Sequence, residues 1–368
     1  TALTFPILAL SVVPAANLTA RMDFGFIIGW GVIEAFAFQT LTLIFAVLGF
    51  GAYSFALPGP IVWLFRAVAY NWRAPSVRSR MQSSVRLLML LRRSAAVAGS
   101  KFVNTLIVQG DYIVLGVLAT TSAVGFYYFA FRLAAAPIRT IATSISSALF
   151  PAMTRLKGDP ARMSSSAVKA AILLAWLATP LSYFQIAVAA PALRLFFGDK
   201  WDPSIAVIQL LGIGLAIEGI VAVTRSYLGA AGKFNLAFAV SLANAVGFIF
   251  ACIVGALLGS INGVALAVSL FYLITQPVLF ALLVDHTGHR LRNIWSIFVL
   301  PVIASAAAFG VGWGVSTLAW VPQTPLFAIG VISLIGWPLV LLLLRLSAPD
   351  VLEQLIIAAR TVIVRRAR

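Results

Sequence analysis

Eleven apolar stretches follow one another along this chain, roughly 5–19, 25–46, 49–70, 97–118, 122–150, 168–193, 204–224, 235–258, 262–284, 295–318 and 326–345. Most hold about 20 residues with few or no charges, the length an α-helix needs to cross roughly 30 Å of hydrocarbon. That repetition predicts an all-α polytopic membrane protein with about 11 transmembrane helices. Composition agrees, since 10% of the chain is charged and 62% hydrophobic, against about 25% charged in an ordinary soluble domain.

The connecting segments fall alternately on two faces. One face collects Arg21; Arg66, Arg73, Arg78, Arg80, Arg86, Arg92, Arg93 and Lys101; Arg155, Lys157, Arg162 and Lys169; Arg225 and Lys233; Arg290 and Arg292; and Arg345, Arg360, Arg365, Arg366 and Arg368. These are 22 of the 26 basic residues. The other face receives Arg194 and Lys200, and Arg132 and Arg139 stay inside a span. Loops that remain in the cytoplasm carry such an excess, which predicts a cytoplasmic C-terminus and an outward-facing Thr1. A net charge of +16 does not point to nucleic acid, whose binders display their charge on a soluble face. Here the basic loops face anionic lipid heads, at about 1 kcal/mol per residue near the surface. Cys252, the one cysteine, lies mid-span, which excludes disulfides and cysteine-rich metal sites; His286 and His289 share one loop and make a poor metal site. No signal peptide precedes the first span. An odd number of spans and no initiating Met lead to the expectation that further helices precede Thr1, a processed N-terminus being the rival account.

Residues 1–72 are expected to form the last three helices of a first bundle, and 97–284 a second bundle of six helices with short outer turns at 119–121 and 259–261. Between them, 73–96 is too charged to span and too apolar to float, so an amphipathic helix in the cytoplasmic interface is expected. Two additional helices occupy 285–346, and 347–368 reads as a basic amphipathic tail. Pro137, Pro180, Pro277, Pro301 and Pro338 punctuate the spans, as transporter helices tolerate where neighbours satisfy the freed carbonyl. Gly212, Gly214 and Gly219 mark close helix contact.

Five ionisable residues sit in hydrocarbon: Glu34, Asp111, Arg132, Arg139 and Glu218. Each is a functional candidate, because placing a charge there costs at least a few kcal/mol. Asp111 and Arg132 flank a tight hairpin at similar depth and are expected to pair, as a static pin or as a charge site open to a cavity. Arg139 follows Arg132 by two helical turns, so both project from one face. Two arginines with one plausible acid call for an anionic ligand, which guanidinium groups grip in bidentate fashion. Arg132, Arg139 and Tyr128 are therefore the substrate-binding candidates. Asp111, Glu218 and Glu34 are the ion-coupling candidates, Glu218 and Glu34 being equally readable as neutral carboxyls hydrogen-bonded to a neighbouring helix. No Gly-rich phosphate loop, metal pattern or nucleophile–base constellation stands out, so no catalytic residue, metal or cofactor is expected.

Motifs between Lys101 and Arg162 carry a resemblance. Asp111 precedes an apolar run, Gly125, Tyr127 and Tyr128 open the next helix with Phe126 inserted, and Arg132–Leu133, Pro137 and Phe150–Pro151 follow. Phe197-Gly198-Asp199-Lys200-Trp201 forms an outer turn and Tyr227-Leu228-Gly229-Ala230-Ala231-Gly232-Lys233 a cytoplasmic one. In order and spacing this resembles the polysaccharide (O-antigen type) flippase family of the multidrug/oligosaccharidyl-lipid/polysaccharide exporter superfamily. The resemblance implies two helical bundles around a central cavity, with two extra C-terminal helices, and makes this chain N-terminally truncated relative to the family. It also implies transport of undecaprenyl-pyrophosphate-linked oligosaccharide across a bacterial inner membrane for surface polysaccharide such as lipopolysaccharide. Its expected partners are that polyprenyl-linked oligosaccharide, membrane lipids, and a polysaccharide polymerase with its assembly proteins.

Alternating access about a midplane site, driven by a proton or sodium gradient, is the leading expectation. A cation-coupled drug antiporter of the same superfamily would favour a more acidic cavity than span 5 offers. A membrane-embedded glycosyl polymerase or ligase would need acidic groups on substantial outer loops, which are short here. A non-transporting scaffold for envelope assembly is the remaining class.

Overall fold

The computed structural model describes residues 4–21, 23–74, 102–103, 105–156, 158–284, 288–318, 322 and 324–353. Among them there are helices and turns and no strand. Eight helices are long and apolar enough to cross a membrane, with two shorter apolar ones at Pro6–Leu18 and Thr105–Leu118. The chain is thus an all-α membrane protein. Its contacts divide it into two compact units, Thr1–Arg92 and Arg93–Arg368.

The first unit holds α1 (Thr4–Ala20), α2 (Phe24–Val47), a 3-10 turn (Gly51–Phe55) and α3 (Pro58–Arg73). Its small core gathers Leu18, Tyr70 and Ala74, flanked by Ala15, Phe26, Ile27 and Trp30. Asp23 starts α2 by accepting from Phe26 N at 3.4 Å, and the same carboxylate receives Arg73 Nε at 3.0 Å. A charge at a helix start offsets the dipole while its salt bridge ties the far end of α3. Asn71 Nδ2 reaches the Leu10 carbonyl at 3.1 Å, fixing α3 to α1.

In the second unit, α4 (Thr105–Leu118) turns sharply into α5 (Thr121–Arg155), whose N-cap Thr120 accepts from Ala123 N at 3.3 Å. α6 (Pro160–Phe197) starts on Asp159, which accepts from Arg162 N at 3.0 Å, and has Pro160 at its first position. It stops at Gly198, whose φ of 76° suits a residue without a Cβ. A 3-10 turn (Asp199–Trp201) leads to α7 (Pro203–Glu218), α8 (Val221–Ala230) and α9 (Phe234–Leu283). α9 is broken at Gly259 (φ −154°) and Ser260 (φ 53°, ψ −133°), giving two antiparallel limbs at the expected 259–261 turn. α10 (Arg290–Ile294) passes through a π-helical turn (Trp295–Val299) into α11 (Leu300–Ser316), and α12 (Pro325–Ser347) follows. Leu300 N donates to the Trp295 carbonyl, five residues back, directly before Pro301, which has no N–H to give.

Among the described residues, the apolar stretches read from the sequence lie on helices, α3 together with its 3-10 turn and α7 with α8 each serving one stretch, and 97–118 described as a helix from Thr105. α6 and α5 outrun their stretches at the basic end, where charged residues continue the helices beyond hydrocarbon. The interfacial helix expected at 73–96 lies outside the described residues beyond Ala74. The tail expected at 347–368 lies outside them beyond Glu353, its first turn being helical at 349–353. His286 is likewise outside them.

Close packing in the second unit rests on missing side chains. A Cβ on Gly212 would come within 2.6 Å of Ile186, and one on Gly214 would overlap the Ser269 backbone. Ser269 Oγ uses that proximity to donate to the Leu210 carbonyl at 2.5 Å. Gly219 is looser, 3.4 Å from the Ala142 methyl, so it marks ordinary contact. Gly255 and Gly263 bring the two limbs of α9 together in the same way, backbone to backbone.

Candidate functional site

α5 divides its faces by helical period. Tyr127, Phe131, Ala134, Ile138 and Ala142 are buried against the rest of the unit. Tyr128, Arg132, Ala136 and Arg139 recur at spacings of three and four on the other side, as neighbours on one helix face must. With Gln109 and Tyr112 of α4 they line a groove of about 210 Å³. The expectation that both arginines share a face holds.

Their partners differ from the expectation. Arg132 does not pair with Asp111; its Nη1 donates to the Tyr128 hydroxyl at 3.0 Å. Among the described residues no carboxylate lies within ion-pair distance of Arg132. Asp111 is fully buried, accepting from the Tyr127 hydroxyl at 2.9 Å and from Tyr112 N at 2.9 Å. The reason is register. Asp111 lies eight residues before the turn at 119 and Tyr127 eight after it, so Tyr127 stands directly opposite, on the core face that Arg132 does not share. Tyr112 packs between the two tyrosines, 5.8 Å from Tyr127 and 5.4 Å from Tyr128.

Arg139 is not left under-neutralised. Its Nη2 and Nε donate to Glu218 Oε1 at 2.9 and 3.1 Å, and its guanidinium lies 4.9 Å from the Phe131 ring centre. Glu218 is the last residue of α7, just before the helix tightens into i→i+3 turns that lead into α8, and its side chain reaches α5. The same carboxylate lines an internal cavity of about 100 Å³ with Thr224, Arg225, Asn244, Tyr272 and Gln276. Val108 borders both spaces, so the Arg139–Glu218 pair stands where groove and cavity adjoin. Thr224 Oγ1 is buried there without a hydrogen-bond partner among the described residues.

Glu34 lies in the first unit and forms a 3.5 Å ion pair with Arg66, whose guanidinium lies 5.0 Å from the Tyr70 ring centre. It borders a separate apolar hollow with Trp30 and Phe65. The site residues thus fall into three settings: an open groove (Tyr128, Arg132, Arg139), its inner wall (Glu218) and a closed tyrosine network (Asp111), with Glu34 apart. Asn244, Gln276 and Tyr112 were not singled out from the sequence, and Tyr127 was noted only as a motif residue. An amide inside a run of apolar residues is the signal that marks Asn244 and Gln276, because it too is costly in hydrocarbon. Among the described residues no group of three His, Cys, Asp or Glu is placed to hold a metal ion.

A family model described as "Polysaccharide biosynthesis protein" matches residues 1–206. The chain is 27% identical over 247 residues to a succinoglycan biosynthesis transport protein, ExoT, of Rhizobium meliloti (strain 1021), covering 66% of this chain and 49% of that protein. It is 22% identical over 227 residues to the lipopolysaccharide biosynthesis protein WzxC of Escherichia coli (strain K12), covering 60% and 46%. These alignments span about half the length of those relatives. In fold it is similar to the lipid II flippase MurJ in an inward closed conformation, with a TM-score of 0.77, 14% identity, and coverage of 95% of this chain and 73% of that one.

Proposed function

The chain belongs to the polysaccharide biosynthesis protein family, and on that premise we propose that it carries part of a flippase moving undecaprenyl-pyrophosphate-linked oligosaccharide across a bacterial inner membrane, with its C-terminus in the cytoplasm. One observation carries the reading: Arg132 and Arg139 line a single groove beside the apolar helices α4 and α5, and of the two only Arg139 has a carboxylate partner among the described residues. A pyrophosphate brings the negative charge that this groove lacks. Arg132 meets it first, exchanging a neutral hydroxyl acceptor for an anionic one that a guanidinium can grip with two parallel bonds. Tyr128, released, offers its hydroxyl to a phosphate or sugar oxygen.

Engaging Arg139 as well requires the phosphate to displace Glu218. A displaced Glu218 is a carboxylate without its counter-ion beside a small, mainly apolar cavity, and a cation entering there restores the charge balance. Return of Glu218 to Arg139 expels that ion and the phosphate together. This carries one cation with each pyrophosphate in the same direction and offsets one of its negative charges; one charge crossing 100 mV is worth about 2.3 kcal/mol. Glu218 is therefore the favoured coupling residue. Asp111, enclosed by Tyr127 and Tyr112, and Glu34, paired in the first unit, are secondary coupling candidates. The polyprenyl tail stays in lipid while the head group passes.

Proteoliposomes containing the whole protein and a labelled polyprenyl-pyrophosphate oligosaccharide test the proposal. Transfer of label between leaflets, without change in glycan size, is expected. Lengthened glycan would show a polymerase or ligase instead, and unchanged leaflet distribution would contradict transport.

A further inference from the structure

A second polar cavity, of about 480 Å³, lies between the starts of α6 and α11 and the end of α12. Lys169, His289 and Arg292 line it, against Asp350 as its one acid among the described residues. Ser165, Asn293 and Ser296 add neutral hydrogen-bonding groups, while Val168, Ile172, Trp176 and Leu300 form an apolar floor. Trp176 is buried and Lys169 and Arg292 are exposed, so the cavity grades from greasy to charged over two to three helical turns. α6 has 38 residues, about 57 Å at 1.5 Å per residue, well beyond roughly 30 Å of hydrocarbon. Lys169 stands where its apolar stretch begins, which puts the charged rim at head-group depth. The π-turn Trp295–Val299, which contributes Ser296, widens the helix at the cavity wall.

We infer that this cavity seats the phosphate diester of an anionic glycerophospholipid, with Lys169 and Arg292 on the phosphate and the first methylenes of an acyl chain along Ile172, Trp176 and Leu300. Cation excess selects an anion, and a basic pocket between membrane helices is suited to an acidic head group. The apolar floor selects a lipid over a free anion, which would leave it unfilled. Asp350 at the rim accepts the glycerol hydroxyls of a phosphatidylglycerol head. The site is separate from the α4–α5 groove and does not depend on what that groove transports.

Native mass spectrometry of the full chain in detergent, titrated with phosphatidylglycerol and with phosphatidylcholine, tests the assignment. Phosphatidylglycerol is expected to bind preferentially. Lys169→Gln and Arg292→Gln should each weaken it about 5-fold, and the pair about 30-fold, at about 1 kcal/mol per cation. Lys169→Arg with Arg292→Lys should retain binding, and Arg155→Gln with Arg162→Gln, outside the cavity, should leave it unchanged. Equal binding of the two lipids, an undiminished affinity in the folded double glutamine variant, or displacement of bound lipid by inorganic phosphate would overturn the inference. Flipping rate is not the readout, so failure here leaves the transport proposal standing.

Discussion

At the scale of single residues, the decisive contrast is between two arginines one groove apart. Arg139 is held by a carboxylate and Arg132 by a tyrosine hydroxyl. Glu218 keeps 15% of its side chain exposed and Arg139 32%, so their ion pair sits between the exposed and buried limits. Arg139→Gln and Glu218→Gln should each lower thermal stability by about 1–2 kcal/mol, and the double variant should recover part of that loss. Additive losses in a double-mutant cycle would show that the pair does not interact. The shared face of Arg132 and Arg139 was legible from the chain. Partner choice was not, for two reasons. Asp111 finds Tyr127 through the register of a hairpin whose turn falls two to three residues before the point where an Asp111–Arg132 pairing needs it. Glu218 finds Arg139 across 79 residues of sequence, a contact that no local spacing encodes.

Among helical elements, length and hydrophobicity made the existence and order of the helices readable, while the ends of α5 and α6 run several residues past their apolar stretches. What the sequence pattern hid was how the elements break. α7 and α8 are one apolar stretch, yet at Gly219–Ile220 the helix tightens into i→i+3 turns, directly after the Glu218 that reaches Arg139 on α5. The turn in α9 places Ser260 at φ 53° and ψ −133°, the first central position of a type II′ turn, where glycine is preferred. Ser260→Gly should therefore stabilise the protein by about 1 kcal/mol, seen as a higher midpoint in a detergent thermal-shift assay; a lower midpoint would contradict the backbone geometry. Gly214 has the opposite character. Any side chain there meets the Ser269 backbone, so Gly214→Val should force α7 from α9 and cost about 1–3 kcal/mol or more, while Gly310→Ala, with open space around it, should be near neutral.

For the molecule as a whole, the charge distribution predicts which ends of the helices share a compartment. Cys252 is fully buried and is the one cysteine, so Cys252→Ala gives a silent background for topology mapping. In intact cells, an impermeant maleimide should label Lys200→Cys, in the turn after α6, and should reach Gly158→Cys only after permeabilisation. The reverse pattern would invert the assigned sidedness and, with it, the direction of transport.

The most direct measurement of the central claim is the rate at which reconstituted protein moves labelled polyprenyl-pyrophosphate oligosaccharide when Arg132 is changed. A charge-assisted bond to phosphate contributes about 1.5–3 kcal/mol. Arg132→Gln should therefore slow transfer at least about tenfold, Arg132→Glu should abolish it, and Arg132→Lys should retain an intermediate rate, all with wild-type yields of folded protein. Transfer at the wild-type rate by a folded Arg132→Glu protein would contradict a cationic path for the pyrophosphate.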